Sequence, residues 1–147
     1  MFHSFRIASV VISFLAMGLL AASAQEGPRL PPQLLKSVEA MIGGQISAFR
    51  AGNHEEAFGY AAPSIRQIFG STERFIGMVK NGYGAIYGAQ QWSFGRGEVR
   101  EGDLIQEVMI TGPAGKNWVA LYTLKKQADG NWRITGVQMK PAELQST

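Results

Sequence analysis

Side chains suited to acid–base catalysis are scarce in this sequence. Beyond the first 24 residues, the chain holds one histidine, His54, and two aspartates, Asp103 and Asp129. His54 falls in the capping turn of a predicted helix, and both aspartates fall in predicted hairpin turns, where aspartate stabilises the turn itself. The sequence therefore places no aspartate inside a strand, where it could point at a substrate.

The other catalytic residue types are no better placed. Glu55 and Glu56 lie in the first turn of a predicted helix, where a negative charge favours the helix dipole, and Glu107 lies in mid-strand on a predicted outward face. No glycine-rich phosphate loop and no metal-ligand spacing is present, and no serine has a histidine placed to activate it. We expect no cofactor and no metal. An isomerase or hydrolase with an atypical tyrosine or glutamate centre stays open as an alternative.

A binding site for a small molecule fits the composition better. Aromatic residues with polar tips, together with polar residues inside strands, are typical of such sites. The alternative is that these aromatics fill the core, which would make the chain a structural or protein-interaction domain. A non-catalytic module binding a small apolar or amphipathic ligand is the leading hypothesis, and its candidate ligand-binding residues are Gln106, Trp118, Tyr122 and Arg133.

The first half of the chain has the periodicity of helices. From Gln33 to Arg50 apolar residues recur at intervals of three and four, which predicts one amphipathic helix, with Gly43-Gly44 permitting close packing rather than a break. Gly52 suits the end of that helix, and Asn53 with Glu56 has the spacing of a capping box for a second one reaching about Ala62. The last predicted helix starts at Ser71 or Thr72 and stops at Asn81-Gly82.

The second half alternates with period two and predicts four sequential antiparallel strands. Gly95 and Gly97 predict a bulge in the first strand. The expected class is α+β: N-terminal helices packed on a curved, cone-like, four-stranded antiparallel sheet. The predicted organisation is a signal peptide (1–24), an extended linker (25–32), one domain (33–140) and a C-terminal tail (141–147).

The last hairpin decides which way Arg133 points. If Asp129-Gly130 forms a two-residue turn, Leu124 lies opposite Thr135 and Tyr122 lies opposite Val137. Arg133 would then share a face with Trp118 and Tyr122, while Ile134 would lie on the other face. Arg133 would meet an anionic group in a cavity, a dimer interface or water, because arginine does not sit unpaired in a dry core.

The chain begins with the pattern of a secretory signal peptide. A basic start ending at Arg6 precedes an uncharged apolar run and the triplet Ala22-Ser23-Ala24, which predicts cleavage after Ala24 and a periplasmic or secreted protein with no membrane attachment. The run is shorter than a membrane span. Cleavage would remove one of 14 basic residues against 11 acidic ones. That weak charge gives no indication of nucleic-acid binding. Without cysteine, the protein must be held together by packing.

The stretch "AFRAGNHEEAFGYAAPSIRQIFGSTERFIGMVKNGY", with "W-x-F", "Q-x-V-x-I" and "DGNWRITGVQM", resembles a bacterial family known as domain of unknown function 4864. The resemblance covers nearly all of residues 33 to 140. More broadly, helices before a sheet closing on "DG-x-WRI" resemble the nuclear transport factor 2-like (SnoaL-like) superfamily. That resemblance implies a shape and not a reaction. It also implies a homodimer, in which a second subunit covers the apolar outer side of the sheet.

Overall fold

The structure is a computed structural model that describes residues 29–143. Five helices come first and four strands follow. The predicted signal peptide and its cleavage site lie outside the described residues. The helices are α1 (Pro32–Ala51), α2 (His54–Gly59), α3 (Pro63–Phe69), α4 (Thr72–Gly82) and α5 (Gly84–Tyr87), and the strands are β1 (Gln91–Arg100), β2 (Asp103–Thr111), β3 (Asn117–Lys126) and β4 (Trp132–Pro141).

The long helix α1 is continuous, as its periodicity predicts. It ends at Gly52, whose φ of 72° is the left-handed conformation that glycine adopts without steric cost. Its two adjacent glycines are packing sites. Gly43 lies beneath Trp92 and Phe94 of β1, and Gly44 lies beneath the ring of Tyr60. The helix can approach β1 and Tyr60 this closely because these two positions carry no side chain.

The structure confirms the predicted N-cap of α4 but not the predicted capping box of α2. Ser71 caps α4, its hydroxyl accepting a hydrogen bond from the backbone N–H of Arg74 at 3.3 Å. Asn53 occupies the N-cap position of α2 but makes no side-chain capping bond, so the expected capping box is wrong. The short helix α5 was not anticipated.

Helix α2 ends at Gly59 rather than near Ala62, because the next residues pair with the edge of β4. The N–H of Ala62 donates to the carbonyl of Ile134 at 2.8 Å, and the N–H of Ile134 donates to the carbonyl of Tyr60 at 3.3 Å. Backbone groups that bond to a strand in this way are not available for another helical turn. The 60–62 segment thus anchors the helices to the sheet.

The four strands form one antiparallel sheet in the order β1-β2-β3-β4. This meander, with the helices before it, confirms the predicted α+β class. The predicted bulge in β1 is also confirmed, since the pairing with β2 shifts between Phe94 and Gly97. One face of the sheet, which we call the inner face, is covered by the helices and carries the buried residues Leu104, Gln106, Val108, Ile110, Ala120, Tyr122 and Leu124.

The register of the last hairpin differs from the prediction near the turn and agrees with it farther away. Tyr122 lies opposite Val137, as expected, but Leu124 lies opposite Ile134 rather than Thr135. The loop has three residues instead of two: Gln127 and Asn131 pair across it, and Gly130 has a φ of 84°. Three-residue loops of this kind shift the pairing by one residue.

A bulge at Thr135 then restores the expected register for the rest of β4. As a consequence, Ile134 is buried on the inner face, whereas Arg133 lies opposite Lys125 on the other face, which we call the outer face. The predicted sharing of a face by Arg133, Trp118 and Tyr122 is therefore wrong. Among residues 29–143, no helix is long and apolar enough to cross a membrane.

Candidate functional site

A cavity of about 280 Å³ lies between the helices and the inner face of the sheet. We call it the main cavity. Helices α1, α3, α4 and α5 line one side, and strands β3 and β4 line the other. It is small beside the 300–1,000 Å³ of typical ligand sites. Its walls are mostly apolar, and the lining residues are Gln45, Phe49, Ala61, Ile65, Phe69, Phe75, Met78, Val79, Tyr83, Ile86, Tyr122, Ile134, Thr135, Gly136 and Val137.

The main cavity has a closed floor and an open rim. Its floor is made of fully buried residues of α1, α4, α5 and the sheet. Its rim is half-buried and is formed by Ile65 and Phe69 of α3, Met78 of α4, and residues 135–137 of β4. The opening therefore lies between α3–α4 and the β4 edge, and a ligand could enter there.

The helical wall is organised around Phe75. Its ring centroid lies 6.2 Å from that of Phe49, 5.0 Å from that of Phe58 and 5.7 Å from that of Phe69. Aromatic pairs at these separations contribute about 0.5–1.5 kcal/mol each beyond their burial. This cluster packs α1, α2, α3 and α4 against one another, and its members Phe49, Phe69 and Phe75 line the cavity.

Helix α3 is the least anchored part of that surface. It has seven residues and none is buried; Ile65 and Phe69, one helical turn apart, lie over the cavity, while Ile68 is 73% exposed. Its two ends are fixed by the pairing of the 60–62 segment with β4 and by the left-handed Gly70. The helix thus forms a thin cover on one side of the opening.

The cavity wall includes four polar side chains, and three of them already donate to backbone carbonyls. Gln45 Nε2 donates to Ala57 at 3.1 Å, Tyr83 Oη donates to Val137 at 3.1 Å, and Thr135 Oγ1 donates to Thr123 at 3.2 Å. The fourth is Tyr122, whose hydroxyl is buried without a hydrogen-bond partner among the described residues.

Tyr122 is fully buried, and this burial raises the pKa of its hydroxyl above the ordinary value of 10.0 because an ionised phenolate would be desolvated. The phenol therefore keeps its proton near neutral pH and is a neutral hydrogen-bond donor. Its chemistry suits binding a hydrogen-bond acceptor.

Of the four sequence-predicted site residues, the structure places Gln106 and Tyr122 opposite each other on β2 and β3, and it leaves Trp118 and Arg133 apart from them. Of the four, only Tyr122 lines the main cavity. Trp118 lines a shallow groove at the other end of the sheet, with Lys116 Nζ 4.5 Å from its ring centroid. Arg133 borders another shallow groove beside Glu56 and Tyr60, and its Nη1 donates to the Trp132 carbonyl at 3.0 Å.

Gln106 is fully buried, but it belongs to the β1 bulge and not to the cavity wall. Its Nε2 donates to the carbonyls of Gly95 at 3.1 Å and Glu107 at 2.9 Å. Its Oε1 lies so close to Gly97 that a Cβ on this glycine would be only 2.5 Å away. This oxygen has no hydrogen-bond partner among residues 29–143. The side chain therefore stabilises the bulge that the sequence predicts.

Sequence reasoning missed most of the cavity wall. Gln45 and the apolar residues of α3 and α4 come from the helical half, whereas the predicted site residues all come from strands. One signal was available: Gln45 is a polar residue between Ile42 and Ile46 on the apolar face of α1, and a buried amide needs a partner. The positions of α3 and α4 that create the cavity have no comparable signature.

The residues first considered for acid–base chemistry lie elsewhere. His54 Nε2 is 2.9 Å from the Tyr87 hydroxyl. Asp103 is the first residue of β2 and pairs with Lys125 at 3.7 Å, and Asp129 accepts a hydrogen bond from the N–H of Asn131 at 2.9 Å in the last turn. Within residues 29–143, no group of three or more His, Cys, Asp or Glu side chains could hold a metal ion.

Comparison with known proteins places the chain in a family. Residues 33–147 match the model of the domain of unknown function DUF4864, so the chain belongs to that family. Among curated proteins, none matches it.

A solved structure resembles the whole domain. It is the 1.8 Å structure of Aln2 from a Streptomyces species, which is similar with a TM-score of 0.52 and 15% sequence identity, over 78% of this chain and 94% of that one. At this identity the similarity shows a related fold alone.

Proposed function

We propose that this protein is a non-catalytic binding module for a small, mainly apolar molecule, and that the ligand occupies the main cavity. The observation that carries the proposal is the cavity itself: a space of about 280 Å³ with an apolar wall and an opening beside β4. A concave, mainly apolar wall with a few polar side chains is the usual composition of a small-molecule site.

The composition of the wall supports binding over acid–base catalysis. None of its fifteen residues is a carboxylate, an imidazole or a cation. Glu107, the glutamate weighed for an atypical catalytic centre, lies on the outer face with its carboxylate beside Gly95. Tyr122 is the one ionisable group deep in the wall, and its raised pKa suits donation of a hydrogen bond rather than proton abstraction.

We further propose export, with residues 1–24 as a cleaved signal peptide, because the sequence has the basic start, apolar run and small-residue cleavage site of one. Mass spectrometry of the protein recovered from the periplasm or medium should find Gln25 at its N-terminus. Recovery of the protein in the cytoplasm with residues 1–24 attached would contradict this part.

Native mass spectrometry of the protein purified gently from its own cells tests the binding proposal. We expect a reproducible extra mass of a small organic molecule. Val137→Trp should fill the opening from β4 and remove that mass. Val119→Trp, a half-buried valine on the outer face of β3, is the matched control and should retain it. The proposal would be contradicted if the wild type showed only the mass of the bare chain and also bound no small neutral aromatic molecule in solution.

A second candidate role is homodimerisation through the outer face of the sheet. Met109 is 38% exposed there and lies directly opposite Val119, with Leu121 and Ile105 half-buried nearby. Two carboxylates on the β1–β2 side of this face pair with basic residues of the same chain, Glu98 with Arg100 and Asp103 with Lys125. Glu107 of β2 lies on that side too, and Arg133 and Lys140 lie on β4. A two-fold axis parallel to the strands would bring Glu107 towards the basic residues of the partner subunit, which favours association.

Sedimentation velocity tests this second role. The wild type should sediment as a dimer at micromolar concentration, and Met109→Glu should sediment as a monomer with its fold retained. Ile68→Glu, which alters an exposed apolar residue on α3 instead, should remain dimeric. A wild type that is monomeric at every concentration tested would contradict the proposed homodimerisation.

A further inference from the structure

The hydrogen bonds of the cavity wall restrict the chemistry of the ligand. Gln45, Tyr83 and Thr135 each donate to a backbone carbonyl of the protein. The Tyr122 hydroxyl alone among the polar side chains of the wall has no partner in the described chain. A buried hydroxyl without a partner is unfavourable, and native structures rarely retain one without a ligand, a water or a functional reason.

Tyr122 is placed deep in the wall by the register of the sheet. It lies at the middle of β3, opposite Gln106 on one side and Val137 on the other. Gln106 does not satisfy it in this structure: its Nε2 is bonded to carbonyls at the β1 bulge, and its Oε1, the acceptor nearest in register, lies against Gly97 and makes no hydrogen bond. Among residues 29–143 the Tyr122 hydroxyl therefore has no acceptor, and a molecule in the cavity would supply one.

The same wall disfavours an anionic ligand. A carboxylate or phosphate would lose its hydration on entering the cavity, and such a loss is compensated only by a cation or by several donors. No lysine, arginine or histidine lines the cavity, and one phenol is too little. Arg133, which a two-residue turn would place on the same face as Tyr122, lies on the outer face instead.

We infer that the ligand of the main cavity is an uncharged, compact, largely apolar molecule that presents a hydrogen-bond acceptor, such as a ketone or other neutral carbonyl oxygen, to the hydroxyl of Tyr122. This inference rests on the proposed function and narrows it to a ligand class. The cavity volume of 280 Å³ limits the molecule to about one or two small rings.

Three probes of nearly equal size separate the ligand classes. Acetophenone carries a neutral carbonyl; α-methylstyrene replaces that oxygen with a CH₂ group and keeps the shape; benzoate replaces it with an anion. Each is titrated into the purified protein, and binding is followed by methyl signals in two-dimensional NMR. The wild type should bind acetophenone about five- to tenfold more tightly than α-methylstyrene, the factor that one neutral hydrogen bond supplies. Benzoate should bind more weakly than either.

Two variants identify the hydroxyl responsible. Tyr122→Phe should bind α-methylstyrene as the wild type does and should lose the preference for acetophenone. Its fold should be intact, because it removes only an unpartnered oxygen. Tyr83→Phe is the matched control: it deletes a cavity-wall hydroxyl that is already bonded to Val137, and it should keep the preference.

The outcomes separate this inference from the proposed function. Equal affinity of the wild type for acetophenone and α-methylstyrene, as expected if water satisfies Tyr122, would overturn the inference and leave binding standing. A preference that survives in Tyr122→Phe would also overturn it, and so would tighter binding of benzoate. Failure of all three probes to bind would contradict the proposed function itself.

Discussion

The ring of Tyr60 occupies the space that a side chain at Gly44 would fill. A Cβ built on Gly44 would lie 2.8 Å from Tyr60 Cζ, closer than real carbon contacts allow. Tyr60 also begins the 60–62 segment that pairs with β4. The absence of one side chain in α1 therefore determines how closely the helix and the β4 edge approach each other.

Gly44→Ala should lower the free energy of unfolding by about 1–2 kcal/mol, because the overpacking cost of about 1–3 kcal/mol exceeds the gain of up to about 1 kcal/mol in helix propensity. Gly77→Ala in α4, where a Cβ would meet open space, should be neutral or stabilising. Urea denaturation measures both. In a Tyr60→Ala background the cost of Gly44→Ala should vanish, and a cost that persists there would refute the contact as its cause.

Gln106→Leu should lower the free energy of unfolding by about 1 kcal/mol, because it leaves the part-buried carbonyls at the β1 bulge without their donor. Backbone amides near Gly95 should also exchange with solvent faster. Gln138→Leu, an exposed glutamine of β4, is the control and should change the stability by no more than about 0.5 kcal/mol. Unchanged stability in Gln106→Leu would show that water can replace the amide.

Ser71→Ala should destabilise the protein by about 1 kcal/mol, since it removes the hydroxyl that accepts from the N–H of Arg74. Asn53→Ala changes the N-cap residue of α2, which makes no side-chain capping bond, and should cost clearly less. Thermal unfolding of the two variants compares them directly. An equal loss in both would mean that the Ser71 bond contributes nothing beyond the conformational preference of the position.

The hydrogen bond from the N–H of Asn131 lowers the pKa of Asp129 below its ordinary value of 3.8. A carboxylate whose pKa is lower in the folded state stabilises the fold above its unfolded pKa, and this contribution is lost as the pH falls through the folded pKa. Asp129→Asn cannot titrate, so the wild type should lose more stability than this variant between about pH 5 and pH 2. Urea denaturation at several pH values gives the free energy of unfolding of both proteins. An equal loss of this free energy with falling pH in both would contradict the expectation.

The sequence predicted the elements better than it predicted their assembly. Periodicity placed α1 and the four strands, and paired glycines placed the β1 bulge, because these features depend on neighbours in the chain. The last hairpin shows the limit. Asp129-Gly130 suits either a two-residue or a three-residue loop, and the choice reverses the faces of Arg133 and Ile134.

The main cavity could not be predicted from the sequence, for a related reason. Its existence depends on how far α3 and α4 sit from β4, and that distance follows from the pairing of residues 60–62 with Ile134 and from the Tyr83 bond to Val137. Both are long-range contacts that involve backbone groups of β4 and are not coded by a local pattern. Tyr122 was predicted as a ligand-binding residue because it combines an aromatic ring with a polar tip inside a strand, and it does line the main cavity.

An open four-stranded sheet has two edges, and either edge could add a strand from another molecule and begin a fibre. Along β4 the 60–62 segment bonds to Ile134 and the Tyr83 hydroxyl bonds to Val137, and the rest of this edge ends in Lys140 and Pro141, residue types that disfavour strand addition. Along β1 the bulge distorts the edge, and Arg96 is well exposed beside it. The contacts that shape the cavity therefore also protect the described domain from aggregating edge to edge, a protection that a protein without disulfides needs at high concentration.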